Sequence, residues 1–152
     1  MKNLYIGAWR LFYFLSLPAT RLKIRSSHRA YVLLIHQGEA LLIRDLFSDH
    51  QWKLPGGGAH DSEGYEQAAW RETREELGLE LELTNLKPLA KGIWHSHKYN
   101  CPYQIFQVKL KDRPHLRLRK GEIYAADWFN KAALKVEKLA PEIAQAIALA
   151  DF

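Results

Sequence analysis

Three glutamates, Glu72, Glu75 and Glu76, crowd into the stretch "RETREELGLE". The stretch reads as helix, and on a helix side chains three and four apart are neighbours, so like charges at that spacing repel. The same turn precedes Gly78, and the C-terminal end of a helix already carries negative partial charge. An arrangement that helix physics disfavours calls for a positive occupant. Mg²⁺ or Mn²⁺ suits converging carboxylates, because hard cations take oxygen ligands and keep sites for water and phosphate. No histidine or cysteine sits at ligand spacing within the stretch, which argues against zinc. The plain alternative is that Arg71 and Arg74 pair the glutamates on a solvated face.

The elements that must position these carboxylates can be read on either side. "LPGGGAHDSE" comes first, and its glycines Gly56, Gly57 and Gly58 suit a loop that approaches a ligand or offers a bare carbonyl. It is not a P-loop, since no Gly-Lys-Ser/Thr follows. The spacing predicts a helix through "DSEGYEQAAWRETREEL", with Asp61 or Ser62 as N-cap and Gly78 as the residue that ends it. Upstream, "RAYVLLIHQGEALLIRD" predicts a β-hairpin over 29–36 and 40–45 with Gly38 in its turn. "WKL" is a short strand ending at Pro55. Downstream, "LELTNLKPLAKGIWHSHKY" reads mostly as strand, "NCP" as a turn, and "YQIFQVKL" as the strand that returns. "EIYAADWFN" is a further strand; a helical turn at 130–136 and an apolar-striped helix in "APEIAQAIALADF" complete the chain. Hairpins with two or three helices predict an α/β (α+β) fold, a mixed sheet with helices packed on it.

The 152 residues, 47 % of them apolar, are enough for one core and too few for two ordinary domains. We expect an N-terminal helix and linker over 1–26 and a single domain over 27–152. Residues 3–17 form an amphipathic stripe through Leu4, Ala8, Leu11 and Leu15, widened by Ile6, Phe12, Phe14 and Leu17. Arg10 interrupts the run and Pro18 ends it, short of the roughly 20 residues a spanning helix needs. The helix is expected to pack on the core or on a second copy in a homodimer, with peripheral membrane contact, helped by Arg21, Lys23 and Arg25, as the alternative. The lone cysteine, Cys101, excludes an internal disulfide and points to a reducing, cytoplasmic setting. A net charge of +5 favours anionic partners. The densest basic run, "KLKDRPHLRLRK" at 109–120, reads as a solvated strand and loop or as a phosphate or RNA contact.

Spacing sharpens the acidic helix. Gly57 is followed after five residues by Glu63, and after seven more by Arg71, Glu72 and Thr73. Glu75, Glu76, Gly78 and Leu79 then follow in order. This pattern over 57–79 resembles the Nudix hydrolase box, with Thr73 where the family pattern asks for an aliphatic residue. "WKLPGG" and the hairpin before it also look like the family. The resemblance implies an α/β/α sandwich with a mixed sheet, and water-mediated cleavage of a nucleoside diphosphate linked to another moiety. It implies Glu75 and Glu76 as principal metal ligands, with a backbone carbonyl near Gly57, and Glu72 as a further ligand or the group that orients the attacking water. Glu63 would bind Arg71 or a metal through water, and Arg71 would hold the glutamates in place. Glu122, opening the strand "EIYAADWF", is the candidate acid outside the box; a solvated strand-end glutamate is its plain reading.

The leaving group is read by other residues. Trp52, beside the glycines, and Trp94 and Tyr99, at a strand end with His95 and His97, are candidates to line the pocket together with Gly56 and Gly58. Where the ADP-ribose subgroup carries a proline this chain has Trp94 and His95, and the segment diagnostic of the NADH-cleaving subgroup is absent. A nucleoside triphosphate or similar small nucleotide is therefore the favoured substrate class. A non-catalytic nucleotide-binding or regulatory module and an RNA 5′-end pyrophosphohydrolase are the alternatives.

Overall fold

The computed structural model describes residues 28–46, 51–95, 100–135, 137 and 139–151. The amphipathic helix expected at 3–17, with its linker, lies outside the described residues, as do His97 and Tyr99. Strands β1 (Arg29–His36) and β2 (Glu39–Asp45) form the expected hairpin. Its two turn residues, Gln37 and Gly38, have φ of 47° and 80°. Positive φ at both is the mark of a type I′ turn, whose twist matches that of the strands it joins.

The sheet runs β4 (Lys87–His95), β5 (Asn100–Lys109), β1, β2, β6 (Ile123–Asn130), with β3 (Gly56–Gly58) paired to the start of β1. β5 is parallel to β1 and the other pairs are antiparallel, so the sheet is mixed as expected. β1 is a continuous apolar run because both of its faces are covered. Val32 and Leu34 enter one layer with Ile43, Phe106 and Val108, closed by Ala68, Ala69 and Leu77 of helix α1 (Tyr65–Leu77). Leu33 and Ile35 enter the opposite layer with Leu42 and Ile105. That layer is closed by Leu134 of α2 (Lys131–Leu134) and by Ile143 and Ala146 of α3 (Pro141–Leu149). Each fully buried leucine or isoleucine contributes about 1.5–3 kcal/mol, so the two layers clamp β1 and fix where its end meets the glycines. Helices on both faces make the α/β/α sandwich.

Four local expectations change. The three glycines are strand, not loop: Gly56, Gly57 and Gly58 pair antiparallel with Tyr31, Ala30 and Arg29. The N-cap of α1 is Gly64, not Asp61 or Ser62. The Gly64 amide donates to Gln67 Oε1 at 3.2 Å, while Ser62 adopts φ 65° in the turn before it. "NCP" is not the turn: Asn100, Cys101 and Pro102 belong to β5, and Cys101 is buried opposite Trp94. "LTN" forms a 3₁₀ turn at Leu83–Asn85 before β4 begins. Gly78 does end α1, with φ 64°. No described helix is long and apolar enough to cross a membrane.

The pairing of β3 with β1 depends on a bare backbone. Gly56 has φ +138°, and a Cβ there would stand 2.2 Å from the Ala30 carbonyl oxygen. Gly56→Ala is therefore expected to destabilise the fold by about 3 kcal/mol or more. For a chain of this size that lowers the thermal midpoint by about 6–12 °C, measurable by circular dichroism. A shift of less than about 2 °C would mean that β3 can part from β1 at little cost.

Candidate active site on the acidic helix

Arg71 makes the most contacts of any side chain on α1's acidic face. Its Nε and Nη2 donate to the two carboxylate oxygens of Glu63 at 2.9 and 3.0 Å. Nη1 donates to Glu72 at 2.8 Å and Nη2 to the Gly58 carbonyl at 2.9 Å. Glu63 also accepts from the His60 amide at 2.8 Å. The Arg71 guanidinium, helped by that amide, holds the Glu63 carboxyl below its ordinary range, and the same contacts raise Arg71. The helix presents Arg71 here because its opposite side is committed to the core: Thr73 is fully buried, donating back to the Ala69 carbonyl at 2.8 Å.

Glu76 is 3 % exposed. Its Oε2 accepts from the Gly56 amide at 2.8 Å, tying the end of the helix to β3. Burial pushes its carboxyl up to about 8, opposed by the Gly56 bond and reinforced by the charge of Glu72. Burial likewise raises Glu72, against the pull of Arg71. Glu72 packs on Gly57 so closely that a Cβ there would stand 2.8 Å from its carboxyl carbon. Glu75 is more open, with a side chain 41 % exposed. It lies 3.7 Å from Arg71 Nη1 and 3.2 Å from Arg119 Nη1, and Arg119 Nε reaches Glu122 at 3.0 Å. The box acids and Glu122 thus face one region, each with a partner: Arg71, Arg119 or the Gly56 amide.

The donors suit a hard divalent cation in kind: all are carboxylate oxygens, and burial raises two of the acids, Glu72 and Glu76. As the side chains stand, no three His, Cys, Asp or Glu groups among the described residues gather closely enough to hold an ion. The arginines hold Glu72 and Glu75 to the sides. The residues fit the ion chemically, and closure around it needs these flexible side chains to turn.

Beside the acids lies a cavity of about 350 Å³. Trp52, Gly56 and Trp94 line it, and the Gly58 carbonyl accepts from Arg71. Trp52 has Arg44 stacked 4.2 Å from its ring centroid and Phe129 edge-on at 4.7 Å. Trp94 is 40 % exposed, with the Arg29 guanidinium carbon 6.0 Å from its ring centroid. The sequence did not single out Arg29, Tyr31, Lys53 or Glu142, which also line it. They come from three separate segments, and no local pattern marks them. Lys53 pairs with Asp45, and burial lowers its ammonium, opposed by the charge of Glu76. His95 turns away to Asn100 Oδ1, 2.8 Å from its Nδ1.

The family pattern for the NUDIX domain matches residues 24–150. The chain belongs to the Nudix family. It is 44 % identical over 62 residues to the nucleoside triphosphatase NudI of Enterobacter sp., a match covering 38 % of this chain and 44 % of that one. To the RNA pyrophosphohydrolase of Teredinibacter turnerae it is 32 % identical over 78 residues, 51 % of this chain and 44 % of that one. The chain thus spans under half the length of these curated relatives. Its fold superposes on the crystal structure of a MutT NUDIX hydrolase from Burkholderia pseudomallei with a TM-score of 0.70. That likeness covers 82 % of this chain and 98 % of that one at 22 % identity, and concerns the fold alone. Nudix hydrolases generally need divalent metals.

The raised Glu76 gives the Nudix helix a pH signature. Between 4.5, its ordinary value, and about 8 the native carboxyl keeps a proton that the unfolded chain has released. The native state binds more protons there, so stability falls as pH rises through that window. Glu72, also raised, acts in the same direction. Glu63, which is lowered, contributes stability that is lost only as pH falls below the ordinary carboxylate range. The chelator-treated protein is expected to melt at lower temperature at pH 8 than at pH 5, and Glu76→Gln to flatten that loss. A slope untouched by the substitution would mean that Glu76 is ionised throughout.

Proposed function

We propose that this Nudix chain is a metal-dependent pyrophosphohydrolase that cleaves the diphosphate linkage of a nucleoside triphosphate or similar small nucleotide, using Mg²⁺ or Mn²⁺. The observation that carries the reading is the meeting at Gly56 of the acidic helix and an aromatic cavity: its amide bonds Glu76 and its backbone lines the cavity. A phosphate chain on the acids would leave its nucleoside within reach of Trp94 and Trp52. Glu75 and Glu76 are the principal ligands in this reading, with Glu72 a further ligand or the group that orients water, and a carbonyl near Gly57 contributing. A bound divalent ion neutralises the phosphate charge and lowers the pKa of water it holds.

The chain's own groups do the rest. Arg71 orients Glu72 and, through Glu63, fixes the loop; Glu63 acts through Arg71, with which it is paired. Glu122 is the base that takes the proton from the attacking water. A bond forms between that oxygen and phosphorus, the phosphoanhydride P–O bond breaks, and two phosphate products leave. The intact set of box glutamates favours this over a binding-only module. The lone cysteine fits a reducing, cytoplasmic setting.

A second reading, action on RNA 5′ ends, is favoured by the relative named an RNA pyrophosphohydrolase. Steep weakening of binding with added salt would separate a polynucleotide from a small substrate.

Phosphate release after coupled pyrophosphatase, over a panel of nucleotides, nucleotide sugars, dinucleotides, ADP-ribose and 5′-triphosphate RNA, tests the proposal. Turnover of a small nucleotide is expected only with Mg²⁺ or Mn²⁺, and Glu76→Gln is expected to lower kcat about 100-fold or more. Tight binding of a nucleotide without turnover under any metal would replace the enzyme with a binding module. Trp94→Ala is expected to raise KM about ten-fold with little change in kcat, the loss of one base stack; an unchanged KM would take the base away from this cavity.

A further inference from the structure

Two arginines face the box acids, and they are held very differently. Arg71 is 18 % exposed and donates to Glu63, Glu72 and the Gly58 carbonyl. Arg119 lies outside the box, on the segment before β6, with its side chain 47 % exposed. Its guanidinium touches Glu75 and Glu122, whose side chains are 41 % and 32 % exposed. Its backbone is fixed: the amide donates to the Glu76 carbonyl at 2.9 Å, and its carbonyl accepts from the Ile123 amide at 3.0 Å. The pivot is therefore anchored to the end of the acidic helix while the head is free to turn. Pairs this open are weak, and a divalent ion gains more from several carboxylates.

We propose that Arg119 is an exchangeable cation: it holds Glu75 and Glu122 apart from a divalent ion, yields them when the ion binds, and then grips the phosphate chain of the substrate. The inference rests on the metal-site reading above. A guanidinium and a divalent ion cannot share the same carboxylate oxygens at contact distance, so their binding is competitive. Once released, the guanidinium stays tethered at the helix end, where its fork matches two oxygens of a phosphate group. Arg71 cannot make this exchange, because its release would strand Glu63 and Glu72, which are largely buried.

The test measures Mn²⁺ affinity from the paramagnetic resonance of the free ion, without nucleotide, beside KM and kcat for whichever nucleotide is turned over. Arg119→Gln is expected to bind Mn²⁺ about three-fold more tightly while raising KM about ten-fold and moving kcat less. Arg119→Lys keeps the charge without the fork, so its Mn²⁺ affinity should return toward that of the parent while KM stays raised. Arg113→Gln removes the same charge from a residue paired with Glu39, and should leave both values alone. Unchanged or weaker Mn²⁺ binding in Arg119→Gln overturns the proposal. So does an equal gain in Arg113→Gln, which would make the effect one of net charge, or an unchanged KM. Absence of Mn²⁺ binding in the parent protein is a different result: it removes the metal-site reading itself, and the exchange with it.

Discussion

The guanidinium of Arg71 joins the glycine strand, the loop after it and the acidic helix at one point. The loop is tied elsewhere by the His28 ring on the Glu63 carbonyl at 2.9 Å, and the Arg71 guanidinium adds the link to the helix. With it, Glu63 receives two charge-assisted bonds and Glu72 a third, while the Gly58 carbonyl is held toward the helix. Charge-assisted, bidentate contacts are the strongest hydrogen bonds available to side chains, and their geometry is directional. The orientation of Glu72 against Gly57, and the approach of Glu76 to the Gly56 amide, both depend on β3 and α1 keeping this spacing.

The same region carries a charge imbalance that the fold tolerates rather than removes. The last turn of α1 bears Glu75 and Glu76, and its carbonyls would ordinarily face water. Instead the amides of Arg117 and Arg119 bond the carbonyls of Leu77 and Glu76 at 2.7 and 2.9 Å. This satisfies the helix end by backbone alone, leaving Glu75 to Arg71 and Arg119 and Glu76 to the neutral Gly56 amide. Glu76 answers by holding a proton well above its ordinary range. A site that keeps buried acids short of positive charge loses stability and gains affinity for a cation, and this trade is common at functional sites.

Gly56 joins the acidic helix to the aromatic cavity. It lies at φ +138° against the β1 backbone, donates to Glu76 and forms part of the cavity wall. A side chain at this position would fill the approach between the strands. The fold shared with a MutT NUDIX hydrolase supplies the frame, and the walls of the cavity come from residues outside the box.

Much of the site was legible because its signals are local. The type I′ turn, the apolar run of β1, the glycine that ends α1 and the spacing of Glu63, Arg71, Glu72, Glu75 and Glu76 each occupy a short window in which backbone geometry or side-chain periodicity is written directly. The errors were local too: a run of glycines permits strand as well as loop, and only pairing with β1 chose between them; Asp61 and Ser62 looked like caps, but the turn before Gly64 placed them upstream. What the sequence by itself determined was the acidic helix, its family and the α/β class. What only the tertiary structure decided was the company that helix keeps: Arg119 between Glu75 and Glu122, and Arg29, Tyr31, Lys53 and Glu142 around one cavity. Those groups come from stretches tens of residues apart in the chain, and nothing short of packing both faces of the sheet brings the stretches together.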